Sequence, residues 1–196
     1  MSSSQFSSES GQFDHTEIVT IHDEEGRSLD CYVENEIEYE GKNYVLLMPI
    51  DLAIVILTEE INTDDEEYAE TIMVEDSDKI EAIFDDAKAV LGELNLFLKR
   101  TGFILTTSGE LPPLEENNII SLEIDEHASE IEPEELQFLA SFYSLKQKYN
   151  ICTPLTPILF VGERKKLGKI EVFQSEEEEL SWILEELLFD EDFEEN

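Results

Sequence analysis

The apolar positions of this chain follow two rhythms. From Thr16 to Thr58, short apolar-rich runs alternate with polar residues and are separated by turn residues. Thr16–Ile21, Leu29–Tyr39, Tyr44–Pro49 and Ala53–Thr58 each read as a strand. Gly26 in "DEEG" and Gly41 in "EGK" sit at bends that need positive φ. The pattern predicts a small antiparallel β meander with one wet face. Glu59–Glu70, with seven acids in twelve residues, reads as an exposed loop, and Glu70–Val74 as one more strand.

From Ser77 the period lengthens. Ile80, Ile83, Phe84, Ala87 and Leu91 form one helical stripe, with Ser77 as its cap and Gly92 as its stop. Leu94–Leu98 and Phe103–Thr107 return to strand character, joined at "KRTG", and Ile119–Ile124 reads as another strand. A second helix is expected to open near Pro133 and run to Tyr149. It turns Leu136, Leu139, Phe142 and Tyr143 inward and places Glu134 and Glu135 at the positive end of its dipole. Pro154 and Pro157 break the chain before strands at Ile158–Val161 and Lys169–Phe173, with "GERKKLG" as the turn. Ser175 and Glu178 form a capping box for a third helix, whose stripe is Leu180, Ile183, Leu184, Leu187 and Leu188. The expected fold class is α+β: an N-terminal antiparallel β meander followed by an α+β part with three amphipathic helices.

Four regions follow: a flexible Ser-rich tail over 1–15, a small acidic β module over 16–69, an α+β domain over 70–189 and an acidic tail over 190–196. The division falls near residue 70, and one continuous sheet across the two folded parts is the alternative. The apolar share is 41%, enough to build a core in spite of the charge.

That charge is extreme. Twelve bases against 49 acids leave −37, which repels nucleic-acid phosphates and anionic membranes. The expectation is a basic protein partner, no direct nucleic-acid contact and no membrane insertion. The plainer reading of the same charge is a solvated surface that keeps the protein in solution. The longest apolar runs, such as Ala53–Leu57, are too short to cross a bilayer, and the first residues lack a signal peptide's basic start. A cytoplasmic location is expected. Cys31 and Cys152 are the only cysteines, too few for a disulfide framework or a zinc site.

Little points to catalysis. His15, His22 and His127 have no evident nucleophile beside them, and neither cysteine sits in a recognisable motif. There is no phosphate-binding Gly loop or dinucleotide fingerprint, so no cofactor is expected. "NTDDEEYAE" and "FDEDFEEN" offer oxygen ligands but not the spacing of an EF-hand loop, so no metal site is assigned. The bases are more informative. None occurs between Thr101 and Leu145. Lys146, Lys148, Arg164, Lys165, Lys166 and Lys169 then hold half of the chain's twelve positive charges. Were the second helix to pack near the hairpin around "GERKKLG", they would form one positive island that contacts a partner's anionic patch or the protein's own acidic tail. The alternative is a turn that simply needed polar residues.

The residues Asp23–Gly26, Glu38–Leu47 ("EYEGKNYVLL"), Pro49 and Asp51 resemble domain-of-unknown-function family 1292, a small bacterial family. "DAKAVLGELNLFLKRTGFILTTSGELP" at Asp86–Pro112 and "YNICTPLTPILFVG" at Tyr149–Gly162 resemble domain-of-unknown-function family 3727 of cyanobacteria and chloroplasts. The second resemblance implies a cyanobacterial or plastid protein, with the stroma as compartment in plant relatives. Neither family carries catalytic residues to transfer. Together with the charge, this leads to a non-enzymatic acidic interaction protein, an adaptor or assembly factor for a basic client, with a tilt toward the photosynthetic apparatus. The alternative is a metal-dependent or acid/base hydrolase with dispersed carboxylates.

Overall fold

The computed structural model describes residues 17–61, 69–122 and 134–173, together with Ile183, Leu187 and Leu188. The Ser-rich tail, most of the Glu59–Glu70 loop, His15, His127, the Ser175–Glu178 capping box and the acidic tail lie outside the described residues.

The fold is mostly β. Its strands are β1 (Ile18–His22), β2 (Ser28–Tyr39), β3 (Lys42–Pro49), β4 (Leu52–Ile61), β5 (Ala69–Met73), β6 (Phe97–Arg100), β7 (Leu105–Ser108), β8 (Ile119–Leu122), β9 (Glu134–Ser144), β10 (Gln147–Pro154), β11 (Phe160–Arg164) and β12 (Ile170–Val172). Among the described residues one complete α-helix, α1 (Ser77–Glu93), interrupts them. The strands form a five-stranded sheet in the order β1-β2-β3-β11-β12 and a seven-stranded sheet in the order β6-β7-β4-β10-β9-β8, with β5 also paired to β4. Every pairing is antiparallel.

The meander holds through β3. Asp23 organises its first bend: its carboxylate accepts the backbone N–H of Glu25 at 3.0 Å and of Arg27 at 2.8 Å, and Gly26 follows at φ 79°. The fourth strand then leaves. β4 crosses to the other sheet, and β11 takes the edge of β3 that a simple meander would have given to β4. Both sheets therefore draw strands from either side of residue 70.

The five-stranded sheet curls. Ile21, Leu29, Cys31, Val45, Leu47 and Ile170 fill its concave side, with Val19 of β1 and Val172 of β12 meeting the same cluster. Arg164 of β11 closes the curl by a bidentate pair with Glu17 at 3.0 Å and a contact to Glu36 at 3.0 Å. On the convex side, Ile183 and Leu187, both helical, bury against Tyr44, Leu46 and Val161. The Asn35 side chain donates to the Leu187 carbonyl at 2.8 Å. In the seven-stranded sheet, one face receives α1, whose Ile83, Ala87 and Leu91 pack on Ile54, Ile56, Leu139, Phe142 and Ile151.

Helix α1 forms where the apolar stripe placed it, but with different ends. Asp76 is the cap, accepting the N–H of Lys79 at 2.8 Å, one residue ahead of Ser77. Gly92 is inside the helix. Asn95, at φ 59°, supplies the left-handed turn, and the N–H groups of Asn95 and Leu96 close back on the carbonyls of Gly92 and Leu91. This double closure satisfies the last free carbonyls.

The expected three-helix α+β part is overturned. The segment from Pro133 to Tyr149 forms no helix over its described residues but the hairpin of β9 and β10. A bulge explains the misreading. Ile151 faces Ala140 while Cys152 faces Phe138, so Leu139 is the extra residue on β9. An inserted residue breaks the two-residue alternation of a strand. It leaves Leu136, Leu139 and Phe142 three apart, the spacing of a helical stripe. Of the third expected helix, the described residues are Ile183, Leu187 and Leu188, all helical.

Candidate interaction surfaces

Two chain crossings join the sheets, Ile50–Asp51 between β3 and β4, and residues 155–159 between β10 and β11. They run side by side and enclose a groove of about 240 Å³. Its walls include Tyr32, Met48, Ile50, Leu52, Leu155 and Ile158, with Pro49, Pro154 and Pro157 at the bends. The crossings carry apolar residues because each strand on either side is buried, and the prolines stop those strands from pairing further. Backbone bonds hold the walls: Ile50 N–H to the Asp30 carbonyl at 3.0 Å and Leu155 N–H to the Glu135 carbonyl at 2.9 Å. Ile50, Leu52 and Leu159 stay exposed along this junction. Asp51, beside them, is paired with Lys99 at 2.7 Å. The sequence reading missed the groove. Its signal was the apolar, proline-broken stretches "MPIDLA" and "CTPLTPIL", where strand-like side chains meet a backbone that cannot stay in a ladder.

A second cavity, about 260 Å³, lies between the β1–β2 turn, the first turn of α1 and the β6–β7 turn. Arg27 and Arg100 line it, and both are committed to the protein's own acids. Arg27 pairs with Asp23 at 2.7 Å and Glu25 at 3.1 Å; Arg100 pairs with Glu81 at 3.1 Å and donates to the Ser77 hydroxyl at 2.9 Å. Burial tends to raise the Asp23 carboxyl, but the hydrogen bonds and charge of Arg27 outweigh it and hold it below 3.8. Gly102 lets these turns touch, since a Cβ there would lie 2.6 Å from the Arg27 carbonyl oxygen.

The six bases proposed as one island are divided between the sheets. Lys146 lies in the β9–β10 turn and Lys148 on β10. Arg164 ends β11, and Lys165, Lys166 and Lys169 form the β11–β12 turn. The helix that was to bring the first two toward the others is not formed. Arg164 is occupied by Glu17 and Glu36, Lys165 by Glu163 at 2.6 Å and Glu171 at 3.5 Å, and Lys169 by Glu171 at 3.7 Å. At least six of the chain's twelve bases are thus closed by its own carboxylates, among them Arg27, Lys99, Arg100, Arg164, Lys165 and Lys169. Meanwhile Glu38 of β2 and Asp78, Asp85 and Asp86 of α1 are exposed.

Both cysteines are buried. Desolvation pushes each thiol up to about 12, with the Asp30 charge adding to the effect at Cys31. Neither is a thiolate near neutral pH, so neither is poised as a nucleophile. Among the described residues, no three His, Cys, Asp or Glu side chains are gathered to hold a metal ion. No helix among them is long and apolar enough to cross a membrane.

Two family models match the chain. One, described as a protein of unknown function (DUF1292), covers residues 24–92, and the other, described as a protein of unknown function (DUF3727), covers residues 95–191. The boundary falls at the end of α1, and each matched segment supplies strands to both sheets. A UPF0473 protein of Caldicellulosiruptor bescii is 30% identical over 76 residues, 35% of this chain and 74% of that protein. A second, from Caldicellulosiruptor saccharolyticus, is 32% identical over 76 residues, 35% of this chain and 73% of its own. No solved structure matches. With about three quarters of each of these relatives covered at 30% identity or more, the chain belongs to the UPF0473 family.

Proposed function

We propose that the protein is a non-catalytic adaptor that offers an acidic surface to a basic client protein. The observation that carries this reading is the internal closure of at least half its bases. Ion pairs to Arg27, Lys99, Arg100, Arg164, Lys165 and Lys169 engage a minority of the 49 acids, and Glu38, Asp78, Asp85 and Asp86 are among the carboxylates exposed. The junction groove fits this role. Ile50 and Leu52 offer an apolar anchor point within an anionic field, the combination that a basic segment with one large apolar side chain meets well. The resemblance to a cyanobacterial and plastid family directs the first search to assembly of the photosynthetic apparatus, in the cytoplasm or, for plant relatives, the stroma.

The test is affinity capture from native lysate with mass spectrometry, run with the natural protein and with Ile50→Asp and Leu52→Asp. A basic client should be retained at low salt and lost in half-molar salt, because exposed charges are screened over roughly 10 Å at 0.1 M. Both groove variants should fold and lose the client. Retention undiminished by salt, or unaffected by either variant, would reject the reading. A metal-dependent hydrolytic activity in the purified protein would establish the enzymatic alternative.

A further inference from the structure

Two hairpins end in turns that hold an exposed leucine at positive φ, one of them beside Gly168 at φ 79°. In β9–β10, Ser144 pairs with Gln147, and the two residues between them, Leu145 and Lys146, have φ of 51° and 68°. Positive φ at both central positions is the type I′ turn, which Asn-Gly suits and which leucine adopts only under strain. The β2–β3 hairpin makes its turn with Glu40 and Gly41, at φ 51° and 75°. The fold thus uses glycine in one such turn and not in the other. In β11–β12, Leu167 takes φ 71° and is completely exposed, at 106%. Leu145 is exposed at 74%. Each tip holds an apolar side chain in water, on a backbone that opposes it, with no packing in return.

The flanking residues repeat as well. Lys146 and Lys148 follow Leu145, and Lys165, Lys166 and Lys169 flank Leu167. Lys146, Lys148 and Lys166 make no ion pair among the described residues, in contrast to the six bases closed by carboxylates. On a molecule of net charge −37 the first tip thus leaves Lys146 and Lys148 uncompensated, and the second leaves Lys166, its Lys165 and Lys169 being paired with Glu163 and Glu171. Strain retained at an exposed position without a structural return is characteristic of a recognition site.

We propose that both tips are docking points for an acidic protein segment that carries an apolar side chain. Its carboxylates meet the lysines, and its apolar residue covers the leucine. A protein segment fits better than a bilayer or a nucleic acid. A segment reaches the tip alone, whereas an extended anionic surface also meets the repulsion of the acidic body. This surface is opposite in sign to the one offered to a basic client and lies on other elements, so either can fail without the other.

The test is a nuclear-magnetic-resonance titration of the full-length, isotope-labelled protein with a synthetic peptide holding two phenylalanines among glutamates. Anionic phosphatidylserine vesicles and a short oligonucleotide serve as the other two arms. The peptide should shift the amide signals of residues 145–148 and 165–169. Leu145→Asn and Leu167→Asn should each weaken binding at their own tip roughly tenfold, the loss expected of one apolar contact. Neither should lower the melting temperature, since Asn tolerates the left-handed region. Leu145→Asn combined with Lys146→Gly should raise it. Peptide shifts spread evenly over the surface, binding unchanged in the Asn variants, or a lower melting temperature in the double variant would overturn the proposal. Tip signals that respond to vesicles or oligonucleotide and not to the peptide would overturn it equally.

Discussion

At the scale of single residues, close backbone approach and buried polarity make the sharpest demands. Gly102 faces the Arg27 carbonyl so closely that an alanine Cβ would sit at 2.6 Å. Gly102→Ala should therefore cost about 1–3 kcal/mol in urea unfolding, the usual range for overpacking against atoms that cannot move aside. Asp23 makes three hydrogen bonds within its turn, at 3.0, 2.8 and 2.7 Å. Asp23→Ala should lose about 1–2 kcal/mol at neutral pH. Its carboxyl is lowered from 3.8 in the folded protein, so the contribution is complete above 3.8 and disappears as pH falls through the lower folded value. The stability gap between natural protein and variant should close in acid; a gap that stays constant would show that the carboxylate charge is irrelevant. Cys31 and Cys152, raised to about 12 by burial, should resist a thiol reagent at pH 8 until the protein is unfolded. The "DEEG" turn was legible because an acid and a glycine at that spacing have a local geometry. Gly102 was not, because the carbonyl it accommodates is distant in sequence.

At the scale of elements, α1 shows how far a local signal reaches. Five apolar residues at helical spacing located it, since a stripe must be buried and a helix sustains that period over several turns. Its ends are set by polar atoms, and there Asp76 and Asn95 displaced Ser77 and Gly92. Asp76→Ala should destabilise the protein by about 1 kcal/mol and Ser77→Ala by less, read from thermal unfolding; the reverse order would restore Ser77 as the cap. The β9–β10 hairpin marks the opposite case. Its turn contains neither Asn nor Gly, and its bulge at Leu139 imitates the spacing of a helix. Phe142 and Tyr149, which face one another in the ladder, stack with ring centroids 5.3 Å apart, a contact the helical reading would have separated.

At the scale of the whole molecule, the interleaved topology governs what separate pieces can do. β11 completes the edge of β3, and β7 and β10 complete β4. Residues 1–94 made alone would leave those ladders open, and open ladders pair with other chains. That fragment should self-associate by light scattering, and addition of residues 95–196 should return a particle of the natural mass. A monomeric first fragment with cooperative unfolding would show that the missing strands are dispensable.

The sequence by itself determined the net charge, the first three strands and their glycine turns, the helix α1 and the short strands near residues 97, 105, 119, 160 and 170. These rest on local causes: periodicity that must be buried, residues that accept positive φ, and charges that add without regard to folding. Only the tertiary structure decided that β4 abandons the meander, that β9 and β10 are strands, that the six bases are split between two sheets and that two crossings enclose a groove. Each of these depends on which strand edge a distant segment finds. Backbone pairing is open to nearly any sequence, so the choice falls to the burial of both neighbours at once, a property of the assembled sheets that no stretch of the chain contains alone.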